Sequence, residues 1–157
     1  MRIPFKVIRI ELIFISFFII LTGWAEDKAF RKRQSQAKAD LGKSLLAQGN
    51  LAAGLKELLK AVESYLKAIQ FQPSFSRAYH NLGVTYVAMN EWDEAIKAYK
   101  ESIRHAPEDP RSHFCLGKVY LKVKNQSLAI EKFEETITLD KSNTFAPEAK
   151  RLLGKIK

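Results

Sequence analysis

Tyr79-His80-Asn81-Leu82-Gly83-Val84-Thr85-Tyr86 is echoed 34 residues later by His113-Phe114-Cys115-Leu116-Gly117-Lys118-Val119-Tyr120. In both stretches a Leu-Gly pair is followed by Tyr on the next helical turn. The same offset relates Ala95 to Ala129, Tyr99 to Phe133 and Ile103 to Ile137. Self-similarity at such a period marks stacked units, each with an apolar face that it cannot bury alone. At this length the unit is a helical hairpin.

The residue types agree with that reading. Gly83 and Gly117 fall mid-helix, where Gly costs about 1 kcal/mol relative to Ala, so a close helix crossing is the reason to keep them. Ala95 and Ala129 are expected to face the two glycines. Asn90 falls at the hairpin turn, where the chain needs a left-handed residue and Asn tolerates that conformation well. Trp92, Tyr99 and Phe133 are expected to fill the space between helices.

Taken together, Leu82, Gly83, Tyr86, Ala95, Tyr99 and Pro107, with Leu116, Gly117, Tyr120, Ala129 and Phe133, resemble the tetratricopeptide repeat family. The resemblance covers residues 76–143, with Lys141 standing where a second closing Pro would be and Ser102 and Thr136 where Ala is usual. It implies an all-α fold of antiparallel helix hairpins stacked as a short right-handed superhelix, and a protein-binding scaffold rather than an enzyme.

Outward from this pair the chain supplies a third unit and two ends. Leu41-Gly42 matches the Leu-Gly pair, but 41 residues before Leu82-Gly83, while Ala61, Tyr65, Ile69 and Pro73 stand 34 before Ala95, Tyr99, Ile103 and Pro107. Seven extra residues therefore lie between the Gln48-Gly49-Asn50 turn and Ala61. Seven residues make almost two helical turns, which keeps the apolar face in direction. At the other end Ser142-Asn143-Thr144 read as capping residues with Pro147 in the first turn of a closing helix. The expected organisation is residues 1–25 as an apolar leader or N-terminal hydrophobic helix, 26–75 as a divergent first repeat, 76–109 and 110–143 as regular repeats, and 144–157 as a capping helix.

Residues 1–25 differ from the rest. Arg2, Lys6 and Arg9 precede an apolar run from Leu12 to Leu21 that stays uncharged to Ala25. A spanning helix needs about 20 mostly apolar residues and a signal-peptide core roughly 7 to 15. Gly23 and Ala25 would then direct cleavage before Glu26. The other reading is an uncleaved anchor starting near Ile8, with Arg9 and Glu11 at the interface. Lys28, Arg31, Lys32, Arg33 and Lys38 after the run oppose a simple positive-inside assignment, so both readings stay open.

The chain carries a formal charge of +9, and removal of residues 1–25 still leaves +7. That excess points to anionic partners. Cys115 is the only cysteine, which excludes an internal disulfide and Cys/His zinc spacings. Gly42-Lys43-Ser44 lacks the earlier Gly and preceding strand of a phosphate loop. His113 and Cys115, two apart on a helix, point to different sides. His80 and His105 lack ligand-spaced partners, so no catalytic residue, metal or cofactor is expected. Asn125-Gln126-Ser127 fits a glycosylation acceptor in an exported eukaryotic protein.

In the resembled family the first helix of each repeat lines a concave groove. Matching positions here are Arg77, His80, Val84 and Val87 in one repeat and Arg111, Phe114, Lys118 and Leu121 in the next, with Lys122 at the edge and Lys43 and Leu46 from the first repeat. Asn81 stands where some members hold a peptide carboxylate. This surface suits an acidic or amphipathic segment, or a C-terminus, with Arg77 and Arg111 as the expected carboxylate forks. Two other readings are a structural subunit held through convex and capping faces, and electrostatic binding of anionic lipid or nucleic acid by Arg31, Lys32, Arg33 and the C-terminal lysines, the nucleic acid being disfavoured by the absence of any recognition motif.

Overall fold

The computed structural model describes Arg33, residues 36–44 and residues 50–156. Expectations on residues 1–25, Lys28, Arg31, Lys32, Leu46, Gln48, Gly49 and Lys157 lie outside the described residues. Helix α1 covers residues 36–44. It is followed by α2 (Leu51–Phe71), α3 (Ser76–Ala88), α4 (Trp92–His105), α5 (Pro110–Lys122), α6 (Gln126–Leu139) and α7 (Ala146–Ile156). Among the described residues there is no strand, and no helix is long and apolar enough to cross a membrane. Sequential helices pack against each other, most extensively within the hairpins α3/α4 and α5/α6, and α3 also touches α5.

The turns inside the two regular hairpins share one hydrogen-bond pattern. Asn90 and Lys124 both take positive φ, 62° and 61°. The amide of Asn90 donates to Val87 and that of Glu91 to Tyr86, while Lys124 donates to Leu121 and Asn125 to Tyr120. This pairing satisfies the last carbonyls of α3 and α5 and reverses the chain in the fewest residues. Asn125 then caps α6 by accepting from the Leu128 amide at 3.3 Å, as Asn50 caps α2 by accepting from Ala53.

Tight hairpins require the notch that the glycines provide. A Cβ on Gly83 would lie 2.7 Å from the Tyr99 ring, and one on Gly117 would lie 2.8 Å from the Phe133 ring. The nearest atoms are thus aromatic edges rather than Ala95 and Ala129, contrary to the expectation. The alanines are fully buried beside those rings and let the helices approach far enough for ring to meet backbone. Leu82, Leu116, Tyr120 and Phe133 are buried in the same stack, whereas Pro107 is exposed in the link after α4.

The divergent repeat obeys the same rule with different residues. A Cβ on Gly42 would lie 2.8 Å from Leu58 and 3.0 Å from the Gly54 carbonyl oxygen. Gly42 to Leu58 is the same interval in sequence as Gly83 to Tyr99, so α1 and α2 meet in the register of the regular hairpins. The added two turns lengthen α2 beyond that point, to 21 residues against 14 for α4 and α6. Leu58 and Tyr65 are both buried, Leu58 in the Gly42 notch and Tyr65 among Ala39, Leu82 and Ala98. Leu41 departs from the other signature leucines by being 50% exposed, whereas Leu82 is 5% and Leu116 is 0% exposed. A signature Leu is covered by the preceding repeat, and no described helix precedes α1.

At the C-terminal end α7 buries Ala146, Ala149 and Leu153 and turns Lys150, Arg151 and Lys155 to solvent. Its cap is not built from the Ser142-Asn143-Thr144 side chains as read from sequence. Asp140 Oδ2 accepts the amides of Phe145 and Ala146, and Ser142 Oγ donates to Asp140 Oδ1. Burial resists ionisation of this carboxyl, but those donors prevail and hold it below the usual carboxylate range.

Candidate peptide-binding surface

The surface is set by α3 and α5, whose equivalent positions lie side by side. Arg77 is exposed, and Val84, Val87 and Leu121 are half-buried along the seam, packed against the core below. Lys118 is exposed with its Nζ 5.5 Å from the centre of the Phe114 ring, and Lys122 Nζ lies 5.8 Å from that of Trp92. Such stacking positions a cation at little cost in entropy and contributes about 0.5–1 kcal/mol at an exposed site. Phe114 itself is wedged between Phe133 and Phe145, with ring centroids 6.1 and 5.5 Å away. Lys43 is half-buried on α1.

Two of the expected contact residues, Arg111 and His80, are engaged by neighbours, and a third, Asn81, lies close to one. Arg111, expected as a free carboxylate fork, already forks onto Asp109, the N-cap of α5, through Nε at 2.9 Å and a terminal nitrogen. Hydrogen bonding to that guanidinium holds Asp109 below its ordinary range. An N-cap carboxylate two residues before Arg is a local signal that composition along the groove does not register. Asn81 lies near the Tyr65 hydroxyl of α2, which itself donates to Gln36 Oε1 of α1 at 3.3 Å. His80 is drawn into the α3–α5 joint: its Nδ1 lies 2.8 Å from Ser112 Oγ.

The joint contains polar groups that reading the repeat alone treats as mild departures. Ser102 Oγ donates to the Ser76 carbonyl at 3.0 Å and lies 2.8 Å from Ser112 Oγ. Ser102 and Ser112 are buried. One repeat later the equivalents are Phe114 for His80, Ala146 for Ser112 and Thr136 for Ser102, and the joint is apolar apart from Thr136, whose hydroxyl bonds within its own helix to Lys132. Two small positions becoming Ser in adjacent helices is the only sequence trace of this network.

The electrostatics of the surface are basic but not uniformly so. Arg77 and Lys118 make no ion pair among the described residues, whereas Glu148 of α7 bonds Arg151 and feels the charge of Lys118. His113, the counterpart of Tyr79, points away from the groove: it is buried, with Nδ1 2.7 Å from Glu135 and Nε2 2.8 Å from the Pro107 carbonyl. His105 stacks on Tyr79. Cys115 is largely covered beside the Tyr99 hydroxyl, and burial pushes its thiol up. Among the described residues no group of His, Cys, Asp and Glu could hold a metal.

Comparison with known proteins places these features in a family. The family model described as TPR repeat matches residues 42–90 and 85–124, together more than half of the chain. No curated protein matches the chain. Among solved structures, the TPR2B domain of yeast Sti1 in complex with pHsp70 is similar at 20% identity and a TM-score of 0.63, over 81% of this chain and 96% of that one. PcrH in complex with the chaperone-binding region of PopD is similar at 15% identity and a TM-score of 0.61, over 80% and 92%. The type III secretion translocator chaperone SycD of Yersinia enterocolitica is similar at 17% identity and a TM-score of 0.60, over 77% and 81%. With its repeated Leu-Gly notches, its hairpin stack and this match, the chain belongs to the tetratricopeptide repeat family.

Proposed function

We propose that the chain is a non-enzymatic scaffold that holds a segment of another protein along α3 and α5, and that the segment carries acidic and apolar side chains or ends in a free carboxylate. The observation that carries this reading is the alternation of unpaired cations, Arg77 and Lys118, with half-buried apolar residues, Val84, Phe114 and Leu121, along adjacent first helices. Apolar contacts supply affinity there, and the cations select the sign of the partner's charge. The Sti1 and PcrH structures, each solved with a protein segment, support a peptide-holding role for stacks of this kind. Residues 1–25 would deliver the scaffold by export with cleavage before Glu26, or hold it at a membrane as an uncleaved anchor.

Charge reversal tests the reading. Titrated with short acidic–apolar peptides, the Arg77→Glu/Lys118→Glu variant should bind at least tenfold more weakly than the wild type, while its helix content and denaturation midpoint stay unchanged. Equal affinity of variant and wild type would defeat the assignment. Binding of any polyanion that vanishes with salt would instead favour the purely electrostatic reading.

A second reading has its own observation. Leu59 and Leu66 of α2 are 56% and 43% exposed. Exposed leucines one heptad apart suit a role as a subunit in an assembly. Crosslinks through Lys56 or Lys60 rather than Lys118 would identify that mode.

A further inference from the structure

The joint between α3 and α5 has a direction. Each serine hydroxyl has one proton to give. Ser102 gives its proton to the Ser76 carbonyl, so the Ser102–Ser112 contact is made by the Ser112 proton. Ser112 Oγ is then left to accept, and the group 2.8 Å away on the other side, His80 Nδ1, must be the donor. The relay runs from His80 Nδ1–H through Ser112 and Ser102 to the backbone of Ser76. It fixes the neutral tautomer of His80 and leaves Nε2 with a bare lone pair. No buried side-chain nitrogen or oxygen among the described residues lacks a partner, so the unbonded Nε2 is one that water reaches.

From this geometry we propose that His80 is a specificity-determining acceptor of the groove: Nε2 receives a hydrogen bond from a backbone amide of the bound segment. This rests on the reading of α3 and α5 as the binding surface and adds to it a rule that charge alone does not supply. Arg77 and Lys118 select an anionic segment; His80 requires that the segment present a donor next to its anionic group. The groups facing the ring are Tyr99 of α4, with ring centroids 5.6 Å apart, and the Arg111–Asp109 pair at the start of α5. Its own burial first, and then the Arg111 guanidinium beside it, disfavour a second proton on the imidazole and outweigh Asp109. Nε2 therefore remains an acceptor across the neutral range.

The next repeat shows how to remove the acceptor without disturbing the packing. There Phe114 leans on Phe133 as His80 leans on Tyr99, and Ala146 stands where Ser112 does. The His80→Phe/Ser112→Ala variant of the full chain converts the polar joint into the apolar one. Two measurements test the proposal. Long-range proton–nitrogen NMR of the wild-type imidazole should show Nδ1 protonated and Nε2 bare at neutral pH; a proton on Nε2 would overturn the relay. An acidic–apolar peptide that binds the wild type should then be N-methylated at each amide in turn. One position should lose about five- to tenfold in affinity, as expected for one hydrogen bond of about 1 kcal/mol. The double variant should bind the parent peptide that much more weakly and be indifferent to the same methylation. If the peptide binds but no methylation distinguishes wild type from variant, the acceptor role fails and the groove stands. If no such peptide binds the wild type, the groove reading fails and this proposal with it.

Discussion

His80 shows how one residue couples packing to protonation. Its burial, with the Arg111 charge beside it, lowers its pKa from 6.5 to about 4, against the weaker pull of Asp109. An unfolded chain takes up this proton near the ordinary value and the folded chain does not. Between those two values the unfolded state therefore holds more protons, and stability falls as the pH drops through the window. Above it the contribution is complete. Across the whole window, from 6.5 to about 4, the loss is on the order of 3 to 4 kcal/mol at about 1.4 kcal/mol for each unit. Urea midpoints at pH 7 and pH 4.5 should separate further for the wild type than for His80→Phe/Ser112→Ala. Asp109, Glu135 and Asp140 are also held below their ordinary range, so their part of the acid sensitivity survives in the variant.

At the scale of the element, the notch and the turn both ask for glycine, whereas the solvent side of α7 does not. Gly83→Ala gains helix propensity of about 1 kcal/mol but drives a Cβ to 2.7 Å from the Tyr99 ring, a clash with a fully packed group. Overpacking costs about 1–3 kcal/mol, so a net loss of stability is expected. Gly154 in α7 has nothing within 4 Å of the same atom, and Gly154→Ala should raise stability by about 0.5–1 kcal/mol. Chemical denaturation of the two variants side by side reads the difference in sign. The turn after α5 asks for glycine and lacks it, because Lys124 sits at φ 61° where Asn90 sits in the preceding repeat. Lys124→Gly should stabilise the chain by about 0.5–1 kcal/mol, seen as a higher denaturation midpoint. A lower midpoint would mean that the lysine side chain makes up for its backbone strain.

At the scale of the molecule, what could be read in the sequence was whatever repeats. Leu82/Leu116, Gly83/Gly117 and Tyr99/Phe133 occur twice at a fixed interval because the same interface is built twice, and that repetition revealed the hairpins and their register. The first hairpin was harder to place, because its notch is filled by Leu58 and a two-turn lengthening of α2 leaves two registers on one helix face. The α7 cap was missed in detail because Asp140 acts across a gap of five and six residues, where spacing gives no signature. In the candidate site, Arg77, Val84 and Lys118 lie where equivalence of position puts them. Arg111 lies there too but is already engaged by Asp109, a partner that belongs to a loop, and Asn81 lies close to Tyr65 of the preceding repeat. The serine relay does not recur, and so no periodicity points to it.

Whether α3 and α5 form the working face is decided most directly by mapping a bound acidic–apolar peptide onto the backbone amides of the full chain by NMR. Shifts concentrated at Arg77, His80, Val84, Phe114 and Lys118 are the expected result. Shifts confined to α2 around Leu59 and Leu66, or to α7, with α3 and α5 unmoved, would contradict it.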